Sequence, residues 1–142
     1  MISATFTFHK NNMKILKISI IAVFAILPFT NFAQQAINFE SGYTEVFFSN
    51  KLDINDLAKI ETDLSEKGIN LNYNYLKFAK DGKLVAIEYH VTAGKVGAAD
   101  KTEDTNVAIG FIVNTDPHGK YGIIAGQKES IQKRRIELEK KN

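Results

Sequence analysis

Apolar positions recur with a helical period once along the chain and with a period of two several times. Between residues 53 and 67, Ile54, Leu57, Ile60 and Leu64 fall three, three and four residues apart, forming one apolar stripe. Lys59, Glu61, Asp63 and Glu66 lie largely off it. Asp53 can cap the free amides of the first turn, and Asp56 adds negative charge where the helix dipole favours it. Gly68 suits the left-handed residue that closes a helix, with Ile69 placed to pack back on the last turn.

Alternation marks the strands. Residues 37–49 are aromatic and β-branched, with Ser41-Gly42 as a bend or bulge, and a first strand is best formed over 43–49. In residues 69–78, Ile69, Leu71, Tyr73 and Tyr75 alternate with Asn70, Asn72 and Asn74, a half-buried strand. Asp81-Gly82 is a hairpin signal, and Val85, Ile87, Tyr89 and Val91 alternate in the return strand with Ala86, Glu88, His90 and Thr92. Val107, Ile109, Phe111 and Val113 predict a fourth strand, and residues 121–125 a short fifth.

The hairpin carries a register conflict. A two-residue turn pairs Phe78 with Val85 and Leu76 with Ile87, apolar on apolar, but then sets Asn74 against Tyr89 and Asn72 against Val91. One extra residue near Asn74-Tyr75 restores Tyr73 opposite Tyr89 and Leu71 opposite Val91, so a β-bulge is expected there. Residues 93–105 are small, glycine-bearing and charged without periodicity, and predict a mobile loop. After Gly126 the chain is charged. Ile131 and Leu138 are too sparse for a packed stripe, which predicts a solvated helix or frayed tail.

The expected fold is α+β: one helix packed on a four- to five-stranded, mostly antiparallel sheet in the order β-α-β-β-β-β, over residues 34–126. A charged tail over 127–142 follows it. Ahead of it, Lys14 and Lys17 precede an apolar run over residues 18–27, closed by Pro28 and followed by Ala33. That order predicts a signal peptide over residues 1–33, cleaved after Ala33, with Met13 the more natural start. The run is about half of the ~20 residues a membrane span needs. The expected destination is therefore the periplasm or the exterior, with no stable membrane insertion after cleavage.

Charge changes with that cut. The chain has 18 basic and 16 acidic side chains, a formal net charge of +2. Without Lys10, Lys14 and Lys17 the balance is 15 against 16, or −1, which gives no electrostatic drive toward nucleic acid. No cysteine is present, so disulfides, thiol catalysis and thiolate metal sites are excluded.

Candidate chemistry is sparse. Glu88 and His90 share a strand face at i and i+2, and His118 sits in the turn after Asp116-Pro117, but no third ligand of recognisable spacing accompanies them. His-Glu-x-x-His, phosphate-loop and Gly-x-Ser-x-Gly motifs are absent, and no cofactor motif is found. Lys133-Arg134-Arg135 is most simply a solvated face. Tyr73, Tyr75 and Tyr89 share one hairpin. Core packing is the simpler account of them, and an exposed aromatic platform for protein or peptide is the functional one.

The stretch Leu57-x-x-Ile60, Leu64, Lys67-Gly68-Ile69, Lys77-Phe78, Gly82-Lys83-Leu84, Ile87 resembles the extracytoplasmic C-terminal regions of beta-lactam-sensor-type membrane metallopeptidases. Gly110-Phe111-Ile112-Val113 and Tyr121-Gly122-Ile123 continue the likeness, which covers about half the chain. The matching positions are structural. The sequence holds neither that family's multi-span membrane portion nor its zinc motif, so the resemblance implies a sensing or interaction module and no peptidase activity.

These observations lead to an expected non-catalytic exported domain that binds a protein, peptide or envelope component. Its candidate surface is Tyr73, Tyr75, Glu88, His90 and His118, with the sheet edge and the 93–105 loop. A small metal-assisted enzyme using Glu88, His90 and His118, and a structural or inhibitor-like domain, are the alternatives.

Overall fold

The computed structural model describes residues 36–119 and 121–140, all within the unit Asn31–Asn142. The expected signal peptide lies outside the described residues, as does its cleavage after Ala33. Seven strands and two helices follow in order: β1 (Ile37–Glu40), β2 (Tyr43–Phe48), α1 (Ile54–Ser65), β3 (Ile69–Phe78), β4 (Leu84–Ala93), β5 (Val96–Thr102), β6 (Ile109–Asn114), β7 (Ile123–Gln127) and α2 (Lys128–Glu139). The class is α+β, but the strands form two antiparallel sheets rather than one. Their orders are β1-β2-β6-β7 and β3-β4-β5.

Helix α1 forms where its stripe predicts. The Asp53 carboxylate accepts from the backbone N–H groups of Asn55 and Asp56, and the Asp56 side chain accepts from the Asp53 N–H, a complete capping box. Leu57, Ile60 and Leu64 are buried, whereas Ile54 is exposed. Gly68 takes a positive φ of 73° just past the helix, and Ile69 is buried behind it.

One core joins α1 to the inner faces of both sheets. Val46, Phe48, Ile109, Phe111 and Val113 come from the four-stranded sheet, and Ile69, Leu71, Ile87, Tyr89 and Val91 from the three-stranded one. Phe48 packs on Tyr89 at 5.1 Å between ring centroids, and Tyr89 on Phe111 at 5.5 Å. The buried Tyr89 hydroxyl donates to the Gly110 carbonyl at 2.5 Å, pinning one sheet to the other. Burial drives the pKa of Tyr73 and Tyr89 far above the ordinary phenol value, so both rings stay neutral.

The bulge falls at the expected place. Tyr73 pairs with Tyr89 and Leu71 with Val91, then the register shifts so that Tyr75 pairs with Glu88 and Leu76 with Ile87. A second shift was not expected: Phe78 pairs with Leu84, not Val85. The start of β4 has other partners. The Leu84 N–H donates to the Leu52 carbonyl, and the Val85 carbonyl accepts from the Thr105 N–H.

Four further expectations are corrected. Ser41-Gly42 is a full turn between two strands, with Gly42 at a φ of 95°. Much of the 93–105 segment is not a mobile loop but β5, paired with β4 from Ile87↔Thr102 to Ala93↔Val96, and it ends on a buried Thr105. Pairing supplies the order that its own pattern of small residues does not. The tail takes the helical alternative over residues 128–139, but that helix is not solvated throughout. Its helix α2 buries Ile131 against Ile112 and Ile124 on the second face of the four-stranded sheet, with Leu138 beside them. The fifth expected strand also lies later in the chain, at Ile123–Gln127. Among the described residues no helix is long and apolar enough to cross a membrane.

Candidate functional site

Two places gather polar side chains. The first is the outer face of the three-stranded sheet. Its inner face is spent on the core, so by alternation Asn70, Asn72, Glu88, His90 and Thr92 point outward. The bulge decides the tyrosines. Tyr73 turns inward, meets Phe48 edge-on at 6.0 Å and donates its hydroxyl to the Leu57 carbonyl at 3.0 Å. Past the extra residue the phase reverses, and Tyr75 emerges on the outer face at 52% exposure, directly opposite Glu88. Asn74 emerges with it and donates to a Glu88 carboxylate oxygen at 3.3 Å.

On the third strand this face is floored by small residues. Ala99 lies opposite His90 and Gly97 opposite Thr92, with Lys101 opposite Glu88. A Cβ at Gly97 would stand 3.3 Å from His90 Nε2 and 3.2 Å from the Thr92 methyl, so both side chains lean across the glycine. The face thus carries Tyr75 near one end, small residues on β5 and the amides of Asn70 and Asn72 on β3.

The second place is a cleft of about 240 Å³ at the end of the four-stranded sheet. Tyr43, Asn114, Asp116, His118, Tyr121 and Glu139 line it, and α2 forms one wall. Its groups already serve the fold. The Asn114 side chain accepts from the Asp116 N–H and the Asp116 side chain from the His118 N–H, two successive side-chain turns. The Tyr43 hydroxyl donates to Glu40, and Arg135 stacks on the Tyr43 ring at 4.4 Å while pairing with Glu45 at 2.9 Å and Glu139 at 3.5 Å. Tyr43 is shifted upward by burial first and by Glu40 second, and hydrogen bonds from Tyr43 and Asn38 hold Glu40 below its usual value. Burial opposes the Arg135 charge, but Tyr43, Glu45 and Glu139 outweigh it and raise its pKa. The volume is below the ~300–1,000 Å³ of ordinary ligand pockets.

The five predicted surface residues therefore separate. Tyr75, Glu88 and His90 share the outer sheet face, Tyr73 belongs to the core, and His118 lines the cleft. The cleft lining includes neither Glu88 nor His90, so the three proposed metal ligands are not assembled there. Among the described residues, no group of three or more His, Asp or Glu is placed to hold a metal ion. Sequence reasoning passed over Arg135 as part of a solvated face, because its partner Glu45 is 90 residues away. It also passed over Gly97 and Ala99, for want of alternation.

Comparison of the chain with protein-family models, with curated proteins and with solved structures finds no match. What defines the molecule is its α+β class and the open polar face on its smaller sheet.

Proposed function

We propose that this is an exported, non-catalytic binding domain whose contact surface is the outer face of β3, β4 and β5. The observation that carries the reading is Tyr75. A bulge reverses the strand's phase between two tyrosines, so one completes the core and the other stands in solvent beside Glu88 and His90. An exposed tyrosine flanked by polar groups suits recognition, because its ring offers apolar area while its hydroxyl remains wet. The order of positive charge, short apolar run and small residue ahead of Gln34 supports export.

A photoreactive benzophenone side chain at position 75 tests this in intact cells. It should give a heavier adduct on irradiation, whether a discrete band or a smear, whereas the same group in place of Glu61, exposed on α1, should give none. Adducts from both positions, or from neither, would remove the surface from consideration.

A further inference from the structure

The outer face also indicates what kind of molecule it holds, an inference that rests on the binding reading above. Strand β3 places Asn70, Asn72 and Asn74 along its exposed side, and asparagine is among the residues strands disfavour. Gly97, another poor strand former, lies on the same face of β5. A face shaped only for solubility needs none of these. Choices that break local propensity without a packing gain mark functional positions.

Chemistry narrows the occupant. Among the described residues the Asn70 and Asn72 side chains have no hydrogen-bond partner, so each presents a free amide donor and a free acceptor. They stand two residues apart on one strand, about 7 Å along its length. Glu88 adds acceptors and His90 a ring nitrogen one strand over. The charges are mixed, with Lys77 and Lys101 against Glu88, so neither a polyanion nor a polycation is favoured. The exposed side chains of this face among the described residues are polar apart from Tyr75 and the small Gly97 and Ala99, so it offers little to anchor a leucine or phenylalanine side chain. Paired donors and acceptors beside a floor of small residues, with one exposed aromatic ring, match a chain that is rich in hydroxyls, uncharged and has C–H faces to stack.

We infer that the outer face of β3, β4 and β5 binds a neutral polysaccharide, with Tyr75 stacking on a sugar ring and Asn70, Asn72 and His90 bonding to its hydroxyls.

Affinity electrophoresis of the purified protein tests this, in native gels cast with dextran, mannan, mixed-linkage β-glucan or xylan. Co-sedimentation with insoluble chitin extends the panel. The expected result is retention by at least one of these. Tyr75→Ala should weaken it roughly tenfold and Asn72→Ala roughly fivefold, as lost stacking and a lost hydrogen bond require. Glu103→Ala, exposed and outside the face, should leave it unchanged. Circular dichroism of the variants should match the parent, since Tyr75 and Asn72 are both exposed. Retention indifferent to both substitutions would overturn the site. No retention by any polysaccharide, with Tyr75-dependent binding to a fluorescent casein digest, would overturn the sugar assignment and leave the binding reading standing. Failure with polysaccharides and peptides alike would overturn both.

Discussion

Replacing Gly110 with alanine is expected to remove about 3 kcal/mol of folding stability, at the upper end of what overpacking costs. Strands β2 and β6 approach so closely there that a Cβ on residue 110 would lie 1.9 Å from the Val46 carbonyl oxygen and 2.9 Å from the Phe47 Cα. Both obstacles are backbone, so no side-chain rotation relieves them. The β2–β6 ladder would have to part where Phe47 pairs with Gly110. The shift would also disturb the Gly110 carbonyl that receives the buried Tyr89 hydroxyl, coupling the damage to the second sheet. Urea unfolding followed by circular dichroism reads the effect as a large fall in midpoint. A midpoint unchanged from the parent would mean that the two strands do not approach this closely.

The second large effect belongs to the pair that docks α2. Glu45 sits in the middle of β2 with its side chain 10% exposed, and Arg135 meets it at 19% exposure. Arg135→Ala leaves that carboxylate enclosed without its cation, which costs about 3 kcal/mol for a buried pair broken on one side. It also uncovers the Tyr43 ring. The double variant Glu45→Leu with Arg135→Leu should recover most of the loss, because an apolar pair of similar volume is often as stable as a buried ion pair. A double-mutant cycle by thermal unfolding separates the coupling from the packing. A loss below ~0.5 kcal/mol for Arg135→Ala would place the pair among weak surface bridges and α2 among loosely attached helices.

What could be read from the chain alone follows from which forces are local. Helix α1 declared itself because its stripe, its Asp53 cap and its closing Gly68 all lie within 16 residues of sequence. The bulge at Asn74 was legible for a related reason. Two alternating strands joined by a short turn can be set against each other on paper, and only one extra residue keeps Tyr73 and Leu71 on the core side.

What stayed hidden depends on contacts between distant residues. Nothing in Val96-Gly97-Ala98-Ala99 announces a strand; β5 exists because β4 offers it an edge. The division into two sheets follows from β2 pairing with β6 across more than 60 residues, a choice that no local pattern encodes. Helix α2 has two apolar anchors, and its third attachment is the ion pair from Arg135 to Glu45. The candidate site shares this split. Glu88 and His90 were visible as neighbours on one polar face, whereas the sequence had linked an exposed Tyr75 to the absence of a bulge; the bulge itself brings Tyr75 out opposite Glu88. The floor of Gly97 and Ala99 required β5.

The most direct test of that face compares the five tyrosines in one experiment. Nitration of the folded protein with limiting tetranitromethane, followed by peptide mass spectrometry, should modify Tyr75 first. Tyr73 and Tyr89 should stay unmodified until the protein unfolds, since both rings are enclosed and burial keeps their hydroxyls protonated. Tyr73 reacting as fast as Tyr75 would show that the strand does not change phase at Asn74, and the outer face described here would not exist.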